Sequence, residues 1–421
     1  MFGVTRLLQS FLAERLARKS ARVLELAEAE PVGEKRDELL KRALAISGRS
    51  LAINRECAWA WLTTGRCKQR LADHREAVHA LEKAIEYCPQ YTAAWLFLGY
   101  SLCSLERYED AINALREAAR TEPERAETYF MLGCVLGKQD RLSEASCQYE
   151  HALQLSPDYA EAYHNLGCVY LKMDDPAKAL GAFTRAVELA ENRFGSYQGL
   201  GVARARCGNH SGAVEAFQRV LHTAPHDVDA RFGLAENLMK LGQLNEAEEV
   251  LSGMLSLTAS AKEALFALAT ISRARGDLPR AIELLEELHK KARDNIDAVK
   301  CLAECYLEEE HFDDALTVCE ELRQKSPDDA FCHTCLGAAF HGLERYDDAR
   351  GSLQRAQELD ASDSRTRLLL GATYLRLSDR ESAVQQYEQL RNSDKGAAEE
   401  LVALLRAFDG QQQAEPPPEN A

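Results

Sequence analysis

The sequence holds no apolar run approaching the roughly 18 residues that a membrane-spanning helix requires, so a spanning segment is excluded. It is also short of positive charge. Against 67 Asp and Glu stand 51 Lys and Arg, and the net charge of −16 at pH 7 repels phosphate backbones, so nucleic acid is not expected as a direct partner. No charged, apolar and small-residue succession of the kind that marks a secretory leader opens the chain. The 13 cysteines, odd in number and scattered, therefore read as reduced thiols of a cytoplasmic protein, not as a disulfide framework. The eleven histidines form no metal-ligand or nucleophile pattern. Gly199, Gly201 and Gly208 lack both the preceding strand and the spacing of a phosphate-cradling loop. Neither catalysis nor a bound cofactor is expected. What the composition does offer is a large core, with 46% hydrophobic and 28% charged residues, the balance of a folded soluble protein.

Between residues 58 and 397 the sequence repeats every 34 residues without insertion. Alanine occupies 77, 111, 145, 179, 213, 247, 281, 315, 349 and 383, and a Gly or Ala stands twelve residues before each. Within one period, Tyr163, Leu166, Val169 and Tyr170 recur at helical spacing. Lys172 to Asp175 interrupt them, and Ala179, Phe183, Ala186 and Val187 resume. That pattern predicts two amphipathic helices joined by a turn. Small residues such as Gly167 and Ala179 let the two backbones approach where the helices cross. Pro89, Pro123, Pro157, Pro225 and Pro327 share one phase after the second helix, where proline stops a helix at little cost.

Tyr163, Leu166, Gly167, Tyr170, Ala179 and Phe183, with the phased prolines, resemble the tetratricopeptide repeat family. The resemblance covers about four fifths of the chain in ten tandem repeats. It implies an all-α fold, a right-handed superhelical solenoid of helical hairpins whose first helices line a concave groove. Lys68 and Arg204 depart from the pattern at one aromatic place, and Arg231 and Arg367 at the first aromatic place, where looser packing is expected. Residues 1–57 read as an N-terminal amphipathic helix and atypical capping repeat, 58–397 as the repeats, 398–408 as a C-terminal capping helix and 409–421 as a disordered polar tail. No room remains for a catalytic domain.

The resemblance places Leu62 and Arg66, then Leu96, Phe97, Tyr100 and Cys103, then Phe130, Met131 and Cys134, then His164, Asn165, Cys168 and Lys172 along the groove. This stretch is mostly apolar and aromatic, and contiguous apolar surface suits a helix or an extended peptide of a partner protein. The function expected is a non-catalytic protein-interaction scaffold or assembly factor. The family's clamp for acidic chaperone tails uses lysine, asparagine and arginine on three consecutive first helices. Here Tyr100, Cys134 and Met131 stand instead, with Asn165 alone kept, so that clamp is not expected. Nor is the family's asparagine ladder, which only Asn165 matches.

Two alternatives remain. Residues 2 to 27 combine Phe2, Leu7, Leu8, Phe11, Leu12, Leu16, Val23 and Leu24 with Arg6, Arg15, Arg18, Lys19 and Arg22. Such a basic amphipathic helix either packs as the first cap or lies on an anionic membrane, as in a peripheral assembly or secretion factor. Cys301, Cys305, Cys332 and Cys335 fall at i, i+4 and i, i+3 spacing on adjacent first helices. They either fill the core or form a zinc or redox module. Residues 296–363 carry 17 acidic against 6 basic side chains, read as a solvated face or as steering for a basic partner. Gly195, Gly199 and Gly212 are additional glycines within predicted helices, which suggests a soft joint between residues 194 and 227. Self-association is not legible.

Overall fold

Each first helix of a hairpin stops at one left-handed residue. Ala72, Glu106, Asp140, Asp174, Gly208, Gly242, Gly276, Glu310, Glu344 and Ser378 have φ between +58° and +78°. The next amide then donates to the carbonyl five residues back, as in Asp73 to Lys68 and Arg107 to Leu102, both 2.9 Å, which closes the helix end and reverses the chain. Seven of the ten are not glycine, and each holds its Cβ in a conformation costing roughly 1 kcal/mol. The second helix starts directly. Asp73, Asp175, Asn209, Asp277 and Asp379 accept hydrogen bonds from the backbone N–H three residues on, satisfying amides that a helix start leaves free.

The computed structural model describes residues 2–190, 194–255 and 261–414, with side chains from 8 to 410 inside those ranges. Among the described residues there are 23 α-helices and no strand. The chain divides into two compact units, Met1–Gly233 and Leu234–Ala421. The first holds α1 (Phe2–Ala29), α2 (Glu34–Ile53), α3 (Ala58–Arg70), α4 (His74–Tyr87), α5 (Thr92–Ser104) and α6 (Tyr108–Thr121). It continues through α7 (Ala126–Lys138), α8 (Leu142–Leu155), α9 (Ala160–Lys172), α10 (Pro176–Leu189), α11 (Phe194–Arg206) and α12 (His210–Thr223). The division falls inside α13 (Val228–Lys240). The second unit holds α14 (Leu244–Ser252), α15 (Ala261–Ala274), α16 (Leu278–Lys291), α17 (Ile296–Glu308), α18 (Phe312–Lys325), α19 (Ala330–Gly342), α20 (Tyr346–Leu359), α21 (Ser364–Arg376), α22 (Arg380–Ser393) and α23 (Lys395–Ala414). The fold is an all-α array of helical hairpins.

All ten register alanines have no accessible surface. Between hairpins, side-chain sizes are matched. The Phe183 ring, itself fully buried, lies between Gly167 of its own hairpin and Gly199 of the next. A Cβ added at Gly199 would stand 2.4 Å from the ring carbons, and one at Gly167 2.8 Å. Phe217 is held the same way by Gly201 and Gly233. Where the central side chain is the smaller Leu81 or Leu115, the place taken by Gly199 carries Phe97 or Met131, packed against the same core. Gly199 is therefore a packing requirement, and Gly212 lies beside the capping side chain of Asn209. A Cβ added at Gly195 would stand 3.3 Å from the His164 ring, so two of the three additional glycines sit at close contacts between hairpins, while 191–193, part of the connection invoked for the soft joint, lie outside the described residues.

The arginines at the first aromatic place keep a hydrogen bond that an aromatic residue makes there in other hairpins. The Trp61 and Trp95 indoles donate to the carbonyls of Arg55 and Pro89, six residues back, at 2.7 and 2.8 Å. Arg231 donates to the Pro225 carbonyl at 2.7 and 3.0 Å, and Arg367 to that of Ala361. The guanidinium thus makes the hydrogen bond of the indole it replaces. At the other aromatic place Arg204 donates to the Gly212 carbonyl at 2.7 Å and Lys68 pairs with Asp73 at 3.0 Å.

At one end α1 packs on α2 through Leu24, Leu40 and Ala43, with Ser20 Oγ donating to the Ala43 carbonyl (2.6 Å) and Ser50 Oγ to that of Ala13 (2.7 Å). At the other, α23 seats Leu401 over Gly371. It is longer than the helix expected at 398–408 and carries 409–414 as helix where a polar tail was expected, with Arg380 holding the Asp409 carboxylate at 2.7 and 2.9 Å. Residues 415–421 of that tail lie outside the described residues.

Candidate peptide-binding site

The first helices α3, α5, α7 and α9 position the side chains expected along the groove, and the structure sorts those side chains into three groups. Leu62 and Leu96 are buried, 5% and 2% exposed, inside the hairpin core. Both face the core; α5 is apolar nearly all round, so its sequence does not say which side of that helix faces solvent. Phe97, Phe130, Met131, Cys134 and Cys168 are half-buried against the same core. Phe130 stacks between Tyr149 and Tyr159, with ring centroids 5.8 and 4.8 Å away, so it is as much wall as surface. Tyr100 and Lys172 are exposed.

Polar contacts hold this surface in shape. Arg66 donates to the Glu28 carboxylate at 2.6 Å and lies 4.9 Å above the Phe97 ring, which ties α3 to α1 and α5. Tyr100 tilts against His74 at 6.2 Å. His164 bonds Ser196 at 3.1 Å and stands edge-on to Phe183. Tyr149 Oη donates to Cys134 Sγ at 3.4 Å, and Asn165 Nδ2 donates to the same sulfur at 3.4 Å. Burial raises the Cys134 and Tyr149 protonation constants, so both groups stay neutral.

Four of the expected residues come together. Cys134, Asn165, Cys168 and Lys172 line one open cavity of about 420 Å3 with Leu142, Tyr149 and Val169. Lys138, from the end of α7, stands at its edge and was not among the expected residues. The signal was present, since Lys138 precedes Lys172 by one period. Neither lysine has an ion-pair partner among the described residues. The register continues with Arg70, which pairs with Glu28, and Arg206, which pairs with Asp174. The result is an apolar recess edged by two lysines, with Asp140 as the one carboxylate of its lining.

The cysteines considered for zinc separate into two groups in the second unit. Cys305 hydrogen-bonds Cys301, and Arg273 approaches Cys301 Sγ at 3.9 Å. Together they lower the Cys301 thiol below the ordinary thiol range. Cys332 donates instead to the Cys319 carbonyl at 3.1 Å, and Cys319 meets Cys335. Among the described residues no three His, Cys, Asp or Glu side chains converge on a metal position. Cys147 and Cys207 are exposed, unlike the buried thiols of the core.

Family models of the tetratricopeptide repeat match residues 62–126, 160–193, 208–270 and 272–334, and one described as a TPR repeat matches 138–174. Together they span more than half the chain, and it belongs to the tetratricopeptide repeat family. No curated protein matches. Among solved structures the chain is similar to MamA, with 27% identity and a TM-score of 0.36 over 38% of this chain and 94% of that one. It is similar to PilW, a widely conserved type IV pilus biogenesis factor, with 18% identity and a TM-score of 0.45 over 51% and 98%. A tetratricopeptide repeat protein from Parabacteroides merdae ATCC 43184 gives 15% identity and a TM-score of 0.42 over 58% and 97%. The family fold supports a protein-interaction scaffold in general.

Proposed function

We propose that the chain is a non-catalytic scaffold whose first unit binds an extended or helical segment of a partner protein along α5, α7 and α9. The segment places an apolar side chain in the recess at Tyr149, Cys168 and Val169, and carboxylates beside Lys138 and Lys172. The observation that carries this reading is an apolar recess edged by Lys138 and Lys172, two lysines without an ion pair among the described residues and with only Asp140 as a carboxylate in the same lining, in a chain of net charge −16. Charge complementarity of this kind sets orientation and partner choice.

Titration of the full-length chain with a labelled peptide bearing leucine flanked by glutamates tests it, beside the same peptide with lysines for glutamates. The acidic peptide binds and the basic one does not. Replacing both Lys138 and Lys172 with alanine weakens binding roughly tenfold, from about 0.5–1 kcal/mol for each edge charge, and leaves helix content unchanged. Equal affinity for the two peptides, or no effect of the double replacement, removes the reading. Tyr100→Glu is a second probe of the same line, chosen because Tyr100 is 46% exposed.

A further inference from the structure

Sequence left α1 with two readings, a cap or a membrane-contacting helix, and the structure assigns them to opposite faces. Ala13, Ala17, Ser20, Leu24 and Ala27 are fully buried against the following helices. On the other side, Leu8, Phe11, Leu12 and Leu26 are 63%, 67%, 47% and 60% exposed. Arg15, Lys19 and Arg22 are exposed in the same three- and four-residue register, which puts them among these apolar side chains on one face of the helix. Arg18 lies 5.4 Å above the Trp59 ring of α3, and that tryptophan is itself 39% exposed. The carboxylates of this helix stretch, Glu14 and Glu25, sit to one flank, Glu14 facing Arg18 at 3.9 Å.

We infer that this outer face of α1 docks peripherally on an anionic phospholipid surface, a property separate from the peptide site. Phe11, Leu8 and Leu12 enter the headgroup boundary, and Arg15, Lys19 and Arg22 lie at the phosphates. The chemistry discriminates among occupants. A second copy of the same face would set Arg15, Lys19 and Arg22 against their own equivalents, which is repulsive, whereas an anionic bilayer answers both the basic and the apolar side chains. The concentration of these cations is notable in an acidic chain. No helix among the described residues is long and apolar enough to cross a membrane, so contact is confined to the interface.

Flotation of the full-length protein with phosphatidylcholine vesicles, with and without phosphatidylserine, tests the assignment. The protein floats with the phosphatidylserine vesicles and not with the neutral ones, and added salt releases it. Reversing Arg15 and Arg22 together (R15E/R22E) lowers the bound fraction tenfold or more, since each basic residue near such a surface contributes about fivefold. Phe11→Asp lowers it too. Both variants keep the wild-type thermal unfolding curve, because these side chains touch no core, and Arg15→Gln with Arg22→Gln provides a milder pair if reversal disturbs folding. K138A/K172A floats like wild type, which separates this inference from the peptide site. Absence of flotation with anionic vesicles overturns it, as does binding indifferent to both basic-pair variants. A concentration-dependent dimer abolished by Phe11→Asp would give the face to a second copy instead, and would also overturn it.

Discussion

Along α5, α7 and α9 one register position carries Tyr100, Cys134 and Cys168, and the lysines that follow at 138 and 172 make no ion pair among the described residues. In the second unit the same position on α15, α17 and α19 carries Thr270, Glu304 and Ala338, and the charges there are consumed locally. Arg273 bridges Glu304 and Glu308, both at 2.5 Å, Arg365 reaches Glu304 at 3.5 Å, and Lys300 meets Asp329 at 2.7 Å. One period of sequence therefore builds two kinds of surface. The first offers unpaired lysines beside apolar area, while at the matching place of the second Glu304 and Glu308 are held by arginines. Acidic composition alone does not distinguish them, for residues 296–363 carry a large formal excess of carboxylates, many of them held by neighbouring arginines.

The largest effect that would break this comparison lies beneath the surface. Gly199→Ala should destabilise the protein by about 2 kcal/mol or more, because its Cβ would overlap the Phe183 ring and a packed core resists expansion. Ala267→Gly, at the equivalent register on α15, should cost only about 1 kcal/mol from helix propensity. Urea unfolding of both variants measures this, and Phe183→Leu combined with Gly199→Ala should recover part of the loss. Equal costs at the two places would show that the ring does not govern the first unit.

A middle-sized effect concerns the answered charges. Arg273→Ala leaves Glu308 without its counter-ion and Glu304 with Arg365 alone, and the expected loss is about 1 kcal/mol, discounted because these groups are partly exposed. The loss should shrink in high salt. K138A/K172A should change stability by less than about 0.5 kcal/mol, since no ion pair is broken. A stability loss from the lysine pair equal to that from Arg273 would erase the distinction between the two surfaces.

The smallest effect should be the same in both units. Glu106→Gly in the first and Glu310→Gly in the second replace a side chain at φ +61° and +60°. Each should stabilise by about 0.5–1 kcal/mol, the relief of left-handed strain less the entropy glycine brings to the unfolded chain. Thermal unfolding of each variant reads this directly. Unequal gains would mean that the turns of the two units, identical in backbone, differ in their surroundings.

The hairpins were legible because the period is strict and because each device that shapes one is local: a turn residue, a capping Asp or Asn, a pair of small residues at a crossing. The candidate site was legible in part. Tyr100 and Lys172 are exposed while Leu96 lies in the core, and an apolar helix such as α5, flanked on two sides, gives no periodic cue to its open face. Lys138 went unread although it repeats the register of Lys172. Arg231 and Arg367 were taken as losses, because a donor reaching a carbonyl six residues back is invisible when the position is scored for hydrophobicity. Gly199 was counted against its own helix, since the ring that occupies its missing side chain lies in the preceding hairpin.

That pairing of a ring with a glycine sixteen residues later carries a consequence for how such a chain can be rearranged. Were the hairpins interchangeable, duplication or shuffling could place any one after any other. Phe183, however, requires a successor with glycine where α5 has Phe97, and moving α5 and α6 to follow α10 would press two phenylalanine rings into one space. Each hairpin accepts only certain successors, so the order of the hairpins is itself written in the core, and a recombined gene would have to change both sides of a junction at once.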